Sequence, residues 1–324
     1  MGSVISSLYD TSLQPLVETA YGLYMYPMLF VAKHVDLGTS VFEKEWDLLV
    51  VLDACRVDAL RTVAPEFEFL NEVDSIWSVG STSKEWYANT FQGPHPDVAE
   101  TALVSGNPWP ERLFAGRPDW SYWTMTAHSV WNGRSVLDRA LRRSLPAKGD
   151  FTEYVTVSED RGGDCGTVAV PELVTGAAIH TGRHSNAERT IVHYMQPHAP
   201  YLQELDGNRL PELHLAPFDA LRNGEASHEE VWDAYLDNLR LVLRSVSTLL
   251  DNFDAERVAI TADHGELFGE WGLQTHIAAC PHPALRRVPW AITSAVDTGT
   301  VEPDPPTTTV AADTRDRLSD LGYL

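Results

Sequence analysis

Asp263-His264-Gly265 closes an apolar run, Arg257-Val258-Ala259-Ile260-Thr261-Ala262. A strand that stops at a carboxylate and an imidazole presents two hard-to-bury groups at one edge of a sheet. Once the backbone leaves the strand, the pleat no longer forces neighbours to opposite faces, so both can turn to one cation. Three other runs end in groups of the same kind. Glu45–Asp53 carries five consecutive apolar residues and stops at Asp53, ahead of Ala54-Cys55-Arg56. Ser75–Val79 runs into Gly80 and three hydroxyls, Ser81, Thr82 and Ser83, at the start of a predicted helix. Thr190–Met195 leads into Gln196-Pro197-His198-Ala199-Pro200-Tyr201, where two prolines restrain the loop around His198.

Each residue has an ordinary structural use. Asp53 could cap a helix, Ser81 or Thr82 could do the same, and a loop histidine commonly faces water. Four such endings together are poorly explained by capping. Open α/β sheets place their chemistry beyond the carboxyl ends of their strands. Two carboxylates, an alcohol and an imidazole suffice for one divalent ion, which would lower the pKa of the alcohol and make it a nucleophile. The mixed oxygen and nitrogen donors favour Mn²⁺ or Zn²⁺, with Mg²⁺ or Ca²⁺ as the other oxygen-loving candidates.

The elements that must position these groups read as strand and helix in alternation, the pattern of a doubly wound, mostly parallel sheet flanked by helices. Ser227 and Glu230 form a predicted capping box, and helical spacing of apolar residues runs from Val231 to Leu250. Further strands are expected at Trp120–Thr126, Tyr154–Val157 and Arg286–Ile292. Residues 92–120, rich in Pro and Gly, read as one long connection over the active face. Residues 135–144, with Arg134, Arg139, Arg142 and Arg143, read as an exposed helix face, and 160–164 as a turn. The C-terminus reads as irregular over 297–312 and then as a short helix stopped by Gly322. Residues 1–44 are expected to form a helical segment packed on one large domain, residues 45–324.

Composition narrows the function. The 324 residues carry 24 Lys and Arg against 46 Asp and Glu, a net charge of −22, with only four lysines. No basic footprint for phosphates is available, so nucleic acid is excluded as a partner. Acid spread along the chain suits a surface kept soluble at high salt. Cys55, Cys165 and Cys280 are too widely spaced for a disulfide framework or a CxxC metal site. No secretory signal is visible, which points to the cytoplasm. Leu16–Ala32 carries Glu18 and Pro27 and is short for a membrane span, although its tyrosines and methionines would suit peripheral membrane contact.

At VVLDACR (50–56), GSTSKEW (80–86), QPHAPY (196–201), TADHGE (261–266), RRVPW (286–290) and LSDLGYL (318–324) the chain resembles the alkaline phosphatase/sulfatase superfamily. It is most similar to the sulfatase-like proteins of halophilic archaea. The resemblance implies an alkaline-phosphatase-like fold and a hydrolase of phosphate or sulfate esters, acting on a small-molecule, glycan or lipid ester. It makes Asp53, Asp263 and His264 metal ligands, and Ser81 the nucleophile and fourth ligand. Thr82 is the close rival, since three adjacent hydroxyls leave the register open. His198 and His276 would bind the ester oxyanion or protonate the leaving group, and Arg56 would support the oxyanion. The chain lacks the Cys/Ser-x-Pro-x-Arg motif of formylglycine sulfatases. Gln196 replaces the Asp of the second zinc site of alkaline phosphatases, so a single tightly held metal is expected. A transferase passing the same group to a sugar or lipid hydroxyl, and a non-catalytic protein binding anionic glycans, are the competing readings.

Overall fold

The protein is described by a computed structural model covering residues 14–35, 37–93, 96–115, 140–160, 167–202 and 210–303. Its centre is β1 (Leu48–Leu52), five residues buried on both faces. That pattern requires cover above and below and marks an interior parallel strand. β1 pairs in parallel with β5 (Arg189–Tyr194) on one side and β6 (Ala255–Thr261) on the other, Val51 lying opposite both His193 and Thr261. With β2 (Asp74–Trp77), β3 (Thr101–Ser105), β4 (Glu153–Thr156) and β7 (Arg287–Ala295), these strands form one seven-stranded sheet in the order β2-β7-β6-β1-β5-β3-β4. Only β7 runs against the rest, antiparallel to both β6 and β2. The expected doubly wound, mostly parallel sheet is therefore present, and the carboxyl ends of six strands share one edge.

Helices cover both faces. α2 (Val57–Val63) and α5 (Pro171–His184) both pack against α6 (His228–Leu250) on one side. The capping box forms as its sequence requires: Glu230 N–H donates to Ser227 Oγ, and Ser227 N–H to Glu230 Oε2. α3 (Ser83–Thr90) packs with α4 (Trp109–Leu113). The period of two in β5 divides the layers. Tyr194 reaches Thr175 of α5, whereas His193 faces Tyr87 of α3. α1 (Gln14–His34) rests on the body through Met25, Tyr26 and Leu29, which cluster with Ala88, Ala278 and Ala279. Among the described residues no helix is long and apolar enough to cross a membrane.

Two expectations need correction. Residues 92–120 are not one connection, because Thr101–Ser105 is a fully buried strand between β5 and β4. The flanking Pro and Gly masked a five-residue run too short to show a period. Arg143 does not lie on an exposed face. It is buried, donating to Asn89 Oδ1 at 2.7 Å and to the Leu29 carbonyl at 3.4 Å. The strand predicted at 120–126, most of the helix predicted at 135–144, most of the turn at 160–164, Cys165, residues 304–312 and the C-terminal helix fall outside the described residues.

Candidate metal centre and active site

β1 and β6 lie side by side, so their ends bring Asp53 and Asp263 together across 210 residues of chain. Each carboxylate is held by one oxygen only. Asp53 Oδ2 accepts from Asn107 Nδ2 at 2.7 Å and from Ser83 Oγ at 3.3 Å. Asp263 Oδ1 accepts from the Ala54 and His264 backbone N–H groups at 3.1 and 2.8 Å. The second oxygens, Asp53 Oδ1 and Asp263 Oδ2, are buried and make no hydrogen bond. His264 completes the group. A carbonyl only accepts, so the 2.7 Å contact of His264 Nδ1 with the Gly265 carbonyl fixes the proton on Nδ1. The bare Nε2 then sits 3.5 Å from each orphaned oxygen.

Two carboxylate oxygens and an imidazole lone pair facing one point would repel unless a cation lay between them. Orphaned buried acceptors of this kind make a candidate metal site, and Asp53, Asp263 and His264 offer ligand atoms within 4.8 Å of one another. The donor set fits a divalent ion with mixed oxygen and nitrogen preference. Burial, then the neighbouring charge of Asp263, pushes the Asp53 carboxyl well up. Burial also works against the Asp263 charge, but the imidazoles of His264 and His193 outweigh it and the net direction is down.

The alcohol at the cluster is Ser83, not Ser81 or Thr82. Ser83 Oγ lies 3.2 Å from His264 Nε2 and 3.3 Å from Asp53 Oδ2. Ser81 Oγ instead donates to Glu85 Oε2 at 2.6 Å, contacts the Ile277 carbonyl at 2.9 Å, and accepts from Cys280 N–H at 3.1 Å. Thr82 is the N-cap of α3, its hydroxyl accepting from Glu85 N–H. The geometry follows from helix entry. The N-cap side chain turns back onto its own helix, and the next residue, Ser83, is the first to project from the helical backbone. Gly80 permits the close turn, since a Cβ there would stand 2.4 Å from the Trp86 nitrogen.

A second group adjoins the first. His198, Glu266 and His276 offer ligand atoms within 4.8 Å of one another, and the His264 and His276 ring centroids are 4.4 Å apart. His198 lies between two cis X-Pro bonds, and its Nδ1 contacts the Ala199 carbonyl at 2.5 Å. His276 Nδ1 lies 3.2 Å from Glu266 Oε1. Burial draws His198 and His276 down to about 4 and pushes Glu266 up to about 7. At neutral pH both histidines are uncharged, and Glu266 holds its proton well above the usual carboxylate range. Asp53, Asp263 and His264 are fully buried, whereas His198 and His276 retain 6% and 7% exposure, which makes them the outer side of the site.

Arg56 is not aimed at this site. Its guanidinium pairs with Asp58 and Glu270, lies over the Trp232 ring, and donates to the Glu266 carbonyl at 3.1 Å. It braces the loop that carries Glu266.

Three site residues carried no expectation from sequence. Asn107 follows the overlooked strand β3. Glu266 ends the TADHGE run, where nothing in its spacing distinguishes it from a solvated loop carboxylate. His193 sits within an apolar strand, where a lone histidine among Ile191, Val192 and Tyr194 was the available signal.

No family model matches the chain, and no curated protein matches it. Solved structures do. The C-terminal periplasmic domain of phosphoethanolamine transferase EptC from Campylobacter jejuni is 14% identical, covering 76% of this chain and 78% of its own, with a TM-score of 0.41. A putative sulfatase from Bacteroides thetaiotaomicron is 14% identical over 85% of this chain and 70% of its own, with a TM-score of 0.41. The phosphonate monoester hydrolase of Agrobacterium radiobacter is 11% identical over 76% and 67%, with a TM-score of 0.34.

Proposed function

We propose that the chain is a metal-dependent hydrolase of phosphate or sulfate esters with Ser83 as the attacking alcohol. One observation carries the reading: Ser83 Oγ stands beside His264 Nε2 and Asp53 Oδ2, at the point where two orphaned carboxylate oxygens converge. Asp53, Asp263 and His264 would hold the ion, Zn²⁺ or Mn²⁺ by donor type. Bound there, it supplies Lewis-acid polarisation of the ester and lowers the pKa of the alcohol.

Ser83 Oγ attacks phosphorus or sulfur, the ester oxygen departs, and the hydroxyl proton has Asp53 Oδ2 as its acceptor at 3.3 Å. The leaving oxygen takes a proton from His276 Nε2 while Glu266 returns one to Nδ1, across the 3.2 Å contact between them. With its Nδ1 proton committed to the Ala199 carbonyl, neutral His198 offers Nε2 as an acceptor. It therefore suits the second half-reaction, taking a proton from the water that cleaves the seryl ester.

The test is a panel of phosphate monoester, phosphate diester and sulfate ester substrates with a brief quench. The esterified group should appear on Ser83, and Ser83→Ala should abolish both label and turnover. Label on Ser81 or Thr82, or full turnover by Ser83→Ala, overturns the assignment. Glycerol and sugar acceptors in the same assay separate hydrolysis from transfer: an acceptor ester in place of free acid makes the enzyme a transferase. The net charge of −22 further supports a halophilic source, for which stability that rises into molar salt is the check.

A further inference from the structure

His193 is the one histidine of the site to which neither the cation reading nor the proton relay gives work. Its side chain is fully buried in β5, and its Nε2 makes no hydrogen bond. That nitrogen faces the two acidic strand ends, 3.7 Å from Asp263 Oδ2 and 3.8 Å from Asp53 Oδ2, both beyond hydrogen-bonding distance.

His193 Nδ1 ends a chain of hydrogen bonds. Asn107 N–H donates to Ser105 Oγ at 3.1 Å. The single Ser105 hydroxyl proton has two acceptors at 3.2 Å, the Asn107 carbonyl and Tyr87 Oη. Directed to the carbonyl, it leaves Ser105 Oγ to accept from Tyr87 Oη, and Tyr87 Oη to accept from His193 Nδ1, 2.5 Å away. In that arrangement the proton is on Nδ1 and Nε2 is bare. Stacking on the Tyr87 ring, with centroids 5.4 Å apart, fixes the plane of the imidazole. A buried lone pair aimed at two carboxylates is repelled by both. The same arrangement at His264, whose Nδ1 proton goes to the Gly265 carbonyl, belongs to the cluster already described.

We infer that His193 Nε2 is a further ligand of the ion held by Asp53, Asp263 and His264. Tyr87, Ser105 and Asn107 form the outer chain that locks its tautomer. This rests on the ion site proposed above and extends it, giving the ion two imidazole nitrogens. Metal-bound histidines commonly donate their other ring N–H to an oxygen acceptor, and loss of that acceptor weakens metal binding by about 10–100-fold. Asn107 would then serve two ligands at once, since its side chain holds Asp53 Oδ2 and its backbone anchors the chain to His193.

The experiment uses the full chain with His276→Ala, which disables the neighbouring His198–Glu266–His276 group, loaded with one equivalent of Zn²⁺. Zinc X-ray absorption should count two imidazoles per ion, falling to one when His193→Gln is added. Zinc affinity should fall more in His193→Gln than in Tyr87→Phe, and Tyr87→Phe should itself lose about 10-fold or more. One imidazole per zinc with His193 intact overturns the inference, and so does unchanged affinity in either variant. If Asp263→Asn loses zinc while His193→Gln and Tyr87→Phe keep it, only the His193 assignment falls. If wild type binds no divalent ion, both fall. The imidazole count with His193 in place decides the matter even if His193→Gln does not fold.

Discussion

Ser83 Oγ lies 3.2 Å from His264 Nε2, although 181 residues separate them in the chain. One residue belongs to the first turn of a helix and the other follows the last residues of a strand, and only the shared sheet edge makes them neighbours. The contact separates three adjacent hydroxyls that are chemically alike. Ser83→Ala should lower kcat by several orders of magnitude while leaving ion affinity within about 10-fold, because the carboxylates and imidazoles remain. Ser81→Ala should keep turnover and lose on the order of 1–3 kcal/mol of stability, since the Cys280 N–H would lose its acceptor and Glu85 Oε2 would keep only the Ser81 backbone donor. Parallel measurement of turnover and urea midpoints checks both. A dead but stable Ser81→Ala would reverse the roles.

Asn107 Nδ2 is the one side-chain donor that fixes Asp53 Oδ2 at short distance, 2.7 Å. Asn107→Asp keeps the shape and turns that donor into a third carboxylate beside two others. Ion affinity should rise or stay level, as another anionic oxygen joins the site, while the metal-free protein should be destabilised by like-charge repulsion. Asn107→Leu should instead weaken ion binding by about 10–100-fold, because Asp53 loses its orientation. Titration with Zn²⁺ beside chelator-treated melting curves distinguishes the two variants.

The strands around the site were legible because apolar β-type runs ended abruptly in polar residues, as at Asp53 and Asp263. β3 was not, since five residues are too few to show a period and the Pro and Gly around them read as loop. Register at the hydroxyls was not legible either. Ser81, Thr82 and Ser83 differ only in their position relative to the first helical residue, and that is fixed by Thr82 acting as N-cap. The direction of the Arg56 side chain was not legible for the same kind of reason. The Arg56 guanidinium, three residues after Asp53, turns outward to Asp58 and Glu270 once α2 begins. His193 was hidden by alternation: as a strand residue it read as core, and its chemistry appears only when Tyr87 and the two carboxylates are placed around it.

Gly265 follows His264 where the backbone passes under α7 (Pro283–Arg286). Its N–H donates to the Leu285 carbonyl at 2.8 Å, and a Cβ would stand 2.0 Å from the Ala284 carbonyl oxygen. That oxygen is backbone and cannot swing aside. Gly265→Ala should push the loop off α7, costing about 1–3 kcal/mol and displacing His264 from the carboxylates. Both stability and ion affinity should fall, whereas Gly224→Ala, in open space at a positive φ, should affect stability alone. Ion affinity unchanged in Gly265→Ala would mean that the loop position does not set the ligand.

The metal-free protein should be most stable near pH 6.5. His193, His198 and His276 are each drawn by burial from 6.5 to about 4, so between those values the unfolded chain binds more protons than the native one. Stability therefore climbs with pH across that window, by on the order of 3 kcal/mol for each histidine, and is fully gained above it. Glu266 and Asp53 act in the opposite sense. Glu266 is pushed by burial from 4.5 to about 7 and Asp53 is also raised, so their protonated forms belong to the native state. Stability from this pair is complete below the ordinary carboxylate range and is lost as pH rises through the raised values. From 4 to 6.5 the three histidines outweigh the two carboxyls; above 6.5 only the carboxyls still titrate, and the curve turns down. A saturating divalent ion removes that decline, because it binds the ionised Asp53 and is itself favoured by loss of ligand protons. Urea midpoints from pH 4 to 8, with chelator and with Zn²⁺, provide the check. A chelated protein whose stability rose steadily through pH 8 would show that Asp53 and Glu266 are already ionised without the ion, and that the ion is not what holds the two buried aspartates together.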